Sequence, residues 1–189
     1  MVNEDAELIA LYYNKENKLL DSLAINLKIN KATGKKIGLK QQPSTYFPGN
    51  GAFTLVDGVI NEKGGRTAQS IGFQTDAEAT IDLGTTQQVS NIVVHALKSG
   101  GSYVYPPQSV QVYGSADGKT YKHLGTTESI AETRGTKAIM KVAFKPAATR
   151  FVRVVVTSLK AVPEGQRGAG EKPWLFIDEI QVYLSLIHI

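Results

Sequence analysis

From about Lys35 to the end, the chain breaks into short alternating runs separated by Gly, Pro, Asn and Asp, with no helical periodicity between them. These runs are Lys36–Lys40, Ala79–Leu83, Val89–Leu97, Ser109–Ser115, Tyr121–Thr126, Ala138–Phe144, Arg150–Ser158 and Leu175–Leu184. Parallel strands need long crossover connections, usually helical, and none is encoded here. The pattern therefore predicts an all-β, antiparallel sandwich or barrel.

Two segments fix local detail. In Phe151–Val156 the even positions Val152, Val154 and Val156 are uniformly apolar and should face a core, whereas the odd face carries Arg153. In Ser115–Tyr121 the dipeptide Asp117-Gly118 marks a hairpin turn, because Gly readily supplies a positive φ. Residues 5–27 carry Leu8, Leu11, Tyr12, Leu19, Leu20, Leu23 and Leu27 at roughly helical spacing, which predicts a helix there. The division expected is a tail of a preceding domain or linker over 1–45, one β-sandwich over 46–184, and a vector-derived or frayed tail over 185–189, in which His188 is given no role.

Composition narrows the function. The net charge of +4 comes from 21 basic and 17 acidic residues spread evenly along the chain, so no basic stripe tracks phosphates and nucleic acid is not an expected partner. No apolar run reaches the ~18 residues of a membrane span, so membrane insertion is not expected, and the acidic start does not read as a signal peptide. The chain has no cysteine, which excludes disulfides, thiolate metal sites and a cysteine nucleophile.

Catalytic patterns fail one by one. Gly165–Lys172 approaches a P-loop, but Glu171 intrudes before the lysine and Pro173 follows it. There is no G-x-S-x-G, and His95 and His123 lie in or beside strands without metal-ligand spacing. Nothing pairs Asp57, Asp82, Asp117, Asp178 or Glu179 across a cleft as a glycosidase requires, and Asp82 and Asp117 read as turn residues. The chain is not expected to be an enzyme by itself. Three long stretches without strand pattern, Asn61–Ile71, Lys98–Pro107 and Ala161–Pro173, are where a ligand is expected.

The ordered pieces Leu55-Val-Asp-Gly58, Ala79–Gly84, Val110–Gly118, Arg150–Arg153 and Phe176–Val182 together resemble the discoidin-like (coagulation factor V/VIII type C) family over about Gly51–Tyr183. That resemblance implies a galactose-binding-like, jelly-roll β-sandwich and, in bacterial members attached to glycosidases, a family 32 carbohydrate-binding module. The lead-in Ala32–Lys40 with Tyr46 and Pro48, and the closing Trp174–Ile180, are similar to the module that ends bacterial family 20 β-N-acetylhexosaminidases. The resemblance thus implies a non-catalytic module that targets a parent glycoside hydrolase to glycans containing N-acetylglucosamine or galactose. Its implied location is extracellular, periplasmic or at the cell surface of a bacterium. The alternative is a scaffolding sandwich that packs on the catalytic domain without a glycan site. Two places depart from the family pattern: Ser70 stands where a Trp is usual, and Glu164–Arg167 lacks the usual His.

The resemblance also implies a structural Ca²⁺ held by Asp57 and Glu179 with backbone carbonyls of Thr54, Val59 and Asp178. The competing reading has Asp57 capping its own turn and Glu179 paired with a Lys or Arg. For sugar binding, Trp174, Tyr103 and Tyr105 offer aromatic faces, and Arg66 and Lys98 offer donors. Trp174 can equally pack over the end of the core.

Overall fold

The computed structural model describes residues 4–61 and 67–184. Its strands are β1 (Ala6–Tyr13), β2 (Leu19–Leu27), β3 (Lys36–Leu39), β4 (Ile71–Phe73), β5 (Ala77–Leu97), β6 (Ser109–Ser115), β7 (Lys122–Thr127), β8 (Ile130–Arg134), β9 (Lys137–Thr157) and β10 (Leu175–Tyr183). All pairings between these strands are antiparallel, and the fold is mostly β.

The two longest strands organise everything else. The first part of β5 pairs with the last part of β9 (Ala77↔Val156 to Asp82↔Phe151), and its last part pairs with the first part of β9 (Asn91↔Ala143 to Leu97↔Lys137). Between these halves the register shifts, and Gly84, at φ +87°, lets β5 turn where a side chain would strain the backbone. Each strand therefore crosses from one layer to the other. One layer runs β3, β5, β9, β6, β7, and the other β4, β10, β5, β9, β8. The larger core cluster lies between them, with Ile81, Val110, Val152 and Val154 from the first layer and Ile92, Val94, Met140 and Ile180 from the second. The even face of Phe151–Val156 is buried as its alternation requires, and the Asp117 carboxylate closes the β6–β7 turn by accepting the Lys119 and Thr120 amides at 2.8 and 2.9 Å.

Residues 5–27 form a β-hairpin, which overturns the helix expected there. The reason lies in the turn: the Asn14 Oδ1 accepts the amides of Glu16 and Lys18, each at 2.9 Å, and Asn17 takes a φ of +61°. An Asx turn of this kind offers the backbone an alternative to helix. Leu8–Tyr13 is apolar at almost every position, so a helical stripe can be drawn through it as readily as a strand face. The register sets Leu8 opposite Ile25 and Ala10 opposite Leu23. The hairpin is tied to the sandwich at its base, where Leu27 bridges Val59, the Lys28 amide donates to Gly58 O at 2.8 Å, and Asp5 accepts from the Ile29 amide and Lys28 Nζ at 2.8 Å each.

Asp82 keeps a turn role at the Gly84 bend and adds a second contact. It lies within β5, where it accepts the Gly84 amide at 2.9 Å and takes a two-pronged bond from Arg150 Nε and Nη2, both at 2.8 Å. This clamps the bend of β5 to that of β9, and the guanidinium holds the Asp82 carboxyl down at about 2.

Candidate functional site

The strand directions bring one set of connections to the end of the sandwich remote from the N-terminal hairpin. β5 ends there at Leu97 and β9 at Thr157, so 98–107 and 158–174 leave from the same rim. The two loops are bonded together: the Trp174 amide donates to Tyr103 O at 2.7 Å, the Tyr105 amide donates to Trp174 O at 3.1 Å, and Val104 bridges Trp174 in parallel. The third loop enters β4 at Ile71, opposite Ile177, whereas Phe73, opposite Leu175, is the rim end of that strand, so its described part approaches from further in; Thr67 and Ala68 lie beside Phe47, Pro48 and Gly49.

The structure places the expected ligand residues as follows. Trp174 is half-buried; it meets Phe47 edge-on at 5.1 Å and lies tilted on Phe176 at 5.9 Å, closing a small cluster of Leu97, Val104 and Phe176. Tyr103, also half-buried, has a left-handed backbone (φ +59°), and Gly168 leaves the space its ring occupies: a Cβ on Gly168 would lie 2.1 Å from the ring. A bulky residue held at positive φ is a strained feature that the surrounding structure must enforce, and such features concentrate at functional sites. Tyr105 is half-buried and its hydroxyl is buried without a hydrogen-bond partner among the described residues. Gly100 lies between this hydroxyl and the amide of Gln166, a polar residue sequence reasoning did not single out. Lys98 is exposed at the same rim, its amide donating to Thr136 O at 2.6 Å. Arg66 lies outside the described residues, as do His188 and the rest of the 185–189 tail.

A second feature lies under the loop that covers β10. Asp178 and Glu179 are fully buried in that strand, and Asp57 is half-buried above them. Asp178 Oδ2 accepts the Asn61 amide at 2.9 Å, Glu179 Oε2 accepts the Gly58 amide at 3.2 Å, and Asp57 Oδ1 accepts the Val59 amide at 2.8 Å. Burial pushes Asp57 up to about 6. Burial first, and then the charges of Asp57 and Asp178, push Glu179 up to about 10. The Glu179 Oε1 is buried with no donor in bonding geometry, the nearby Asn30 amide easing its charge only weakly. Among the described residues no Lys or Arg pairs with Glu179, and no three His, Cys, Asp or Glu side chains are grouped to enclose an ion on their own. An oxygen-seeking cation here would need carbonyls as well as carboxylates, and Thr54 and Val59 lie on the loop that supplies them.

His95 and His123 remain ordinary: His95 is buried beside Gln181, its Nε2 3.2 Å from Oε1, and His123 Nε2 lies 2.8 Å from the Thr126 hydroxyl. Among the described residues no helix is long and apolar enough to cross a membrane.

Solved structures share this fold. A chitosan-binding module of a chitosanase/glucanase from Paenibacillus sp. IK-5 superposes with a TM-score of 0.55 at 16% identity, covering 82% of this chain and 99% of that one. A Clostridium perfringens module in complex with GalNAc-β-1,3-galactose gives 0.53 at 12% identity, covering 79% and 94%. A Ruminococcus gnavus fucosidase in complex with fucose gives 0.54 at 13% identity, covering 84% of this chain and 27% of that longer one. Comparison with curated proteins gave no match. The family model for the F5/8 type C domain matches residues 40–179, well over half of the sequence, and with the sandwich topology above it establishes that this chain belongs to the F5/8 type C domain family.

Proposed function

We propose that the chain is a non-catalytic carbohydrate-binding module that holds a parent glycoside hydrolase, a β-N-acetylhexosaminidase, on glycans outside a bacterial cell. The observation that carries this reading is the bonded meeting of loops 98–107 and 161–174, which gathers Tyr103, Tyr105 and Trp174 at one rim with Lys98 beside them. The fold relatives that bind chitosan and GalNAc-β-1,3-galactose support the ligand class, and the fucosidase supports attachment to a hydrolase. Sugar rings bind by stacking C–H faces on aromatic rings while a few polar groups reach hydroxyls. A shallow rim of this kind holds one or two rings at roughly 0.1–1 mM, which suffices when the module is tethered to its enzyme. Calorimetric titration with N-acetylglucosamine and galactose tests it: saturable heat with either sugar supports the reading, and binding of neither counts against it.

A Ca²⁺ ion is proposed at Asp57 and Glu179, completed by carbonyls of Thr54, Val59 and Asp178. The orphaned Glu179 Oε1 and the three crowded carboxylates fit a hard cation, which would neutralise them and pin β10 to the loop above. The residues do not themselves act on substrate; they would brace the fold.

The scaffolding reading is favoured by a different observation, the N-terminal hairpin. Leu8, Tyr12 and Leu23 share one of its faces and are 48–65% exposed, with Ile25 opposite Leu8. An isolated two-stranded hairpin is marginal in water. A covalently attached neighbour removes that difficulty, so this hairpin is proposed to pack on an adjoining domain of the parent enzyme. The two readings are compatible, because hairpin and loop rim lie at opposite ends.

A further inference from the structure

Glycan stacking needs an aromatic face open to solvent, and the three aromatic residues of the loop rim are all half-buried. A fourth is not. Tyr46 is 84% exposed, more than any other large apolar side chain among the described residues. It stands at the same end of the sandwich, one residue before Phe47, whose ring packs on Trp174 and Phe176 at 5.1 and 5.0 Å.

The backbone that carries Tyr46 is fixed rather than loose. The Ser44 amide donates to Gly72 O at 2.8 Å, the Phe47 amide to Ser44 O at 3.0 Å, and the Tyr46 amide to the Ser44 hydroxyl at 3.2 Å. Gly49, at φ +51°, closes against β4 so tightly that a Cβ would lie 2.7 Å from both Ile71 and Thr54. With Phe47 anchored inward, Tyr46 is held outward at the wall of a cleft of about 260 Å³ lined by Phe47, Pro48, Gly49, Thr67 and Ala68. An exposed aromatic on a mobile loop would lose entropy on binding; one displayed by a pinned turn has already been ordered.

Resting on the glycan-binding reading above, we infer that Tyr46 is the principal stacking platform of the module. Trp174 then acts as its support through Phe47 rather than as the contact itself. The ligand class is a pyranoside presenting an apolar C–H face, with the next ring of the chain running across the cleft toward Thr67.

The 189-residue chain, its Tyr46→Ala variant and its Tyr46→Phe variant are titrated calorimetrically with GalNAc-β-1,3-galactose and with a glucosamine trisaccharide. For a platform, Tyr46→Ala weakens binding about tenfold or more, as loss of a central aromatic anchor does, while Tyr46→Phe stays within about threefold because the ring face is kept. All three proteins should melt at the same temperature, since Tyr46 buries little. If the parent chain binds and Tyr46→Ala binds equally well, the platform is elsewhere and the glycan reading stands. If Tyr46→Phe loses as much as Tyr46→Ala, the hydroxyl and not the ring makes the contact, and stacking is wrong. If the parent chain binds neither probe up to about 10 mM, the glycan reading falls and this inference with it.

Discussion

Replacing Glu179 by Gln should make the metal-free protein more stable, contrary to the usual cost of changing a fully buried residue. A free glutamate titrates near 4.5, whereas burial and the neighbouring Asp57 and Asp178 charges push Glu179 up to about 10. At pH 7 without a cation the folded protein must therefore keep this group protonated, at a cost of about 2.5 pH units times 1.36 kcal/mol, or roughly 3 kcal/mol. That cost depends only on the folded value lying well above 7. Gln is neutral, nearly isosteric and can still accept the Gly58 amide, so it removes the cost. The expected gain is up to about 3 kcal/mol, or about 6–12 °C in a domain of this size. The direction with pH follows from the same shift. A carboxyl raised in the folded state favours folding fully below its unfolded value, and that contribution is lost as pH rises toward the folded value. In chelator the parent protein should lose about 1.4 kcal/mol per pH unit above pH ~5, with Asp57, held near 6, adding to the slope at its lower end. Added Ca²⁺ should flatten the slope in the parent protein by binding the ionised carboxylates, and should leave the Gln variant unchanged. Thermal melts of both proteins from pH 5 to 9, in chelator and in Ca²⁺, read all of this. A Gln variant less stable than its parent in chelator at pH 7, or a parent melting temperature flat with pH, would refute the reasoning.

Other outcomes follow from the same geometry. Gly168→Ala should lower the melting temperature and shift the Tyr103 resonances, because the new methyl meets the Tyr103 ring and φ is +78°, a strain of order 1 kcal/mol or more. Phe176→Ala, beneath Trp174 and fully buried, should cost about 3–5 kcal/mol in urea unfolding. Arg150 holds Asp82 near 2, so the clamp supports folding above the free carboxyl value of 3.8 and is lost as pH falls through 2; Arg150→Ala should flatten that part of the acid-unfolding curve. Leu8→Asp with Leu23→Asp should leave the sandwich melt unchanged, since both side chains are about half exposed, while making the junction between the hairpin and an adjoining domain more sensitive to protease in the longer parent protein.

The sandwich was legible because its inward faces are spelled out in alternating Val and Ile, as in Val152–Val156. What alternation cannot show is continuity: β5 and β9 each read as two runs, because the bends near Gly84 and Ala147 interrupt the pattern without ending the strand. β4 has only three residues, and β8 is exposed along its whole length, so neither carries a periodic signal. The N-terminal hairpin misled because both faces are rich in apolar residues, as happens when a strand is covered by something beyond itself; Asn14-Lys-Glu-Asn17 was the turn signal that decided it. Among site residues, the acidic set around Glu179 was visible through family resemblance, and its crowding emerged only when the loop over β10 was in place. Trp174 is the sole tryptophan of the sequence, yet exposure, which only the folded chain reveals, singles out Tyr46.

Chemical-shift mapping of the ¹⁵N-labelled chain titrated with GalNAc-β-1,3-galactose, a glucosamine trisaccharide and N-acetylglucosamine tests the glycan-binding account most directly. The account predicts saturable shifts for at least one sugar, confined to 44–49, 67–70, 98–107 and 161–174. Shifts confined to the β6–β7 turn end around Asp117, or none with any of the three sugars, would contradict it.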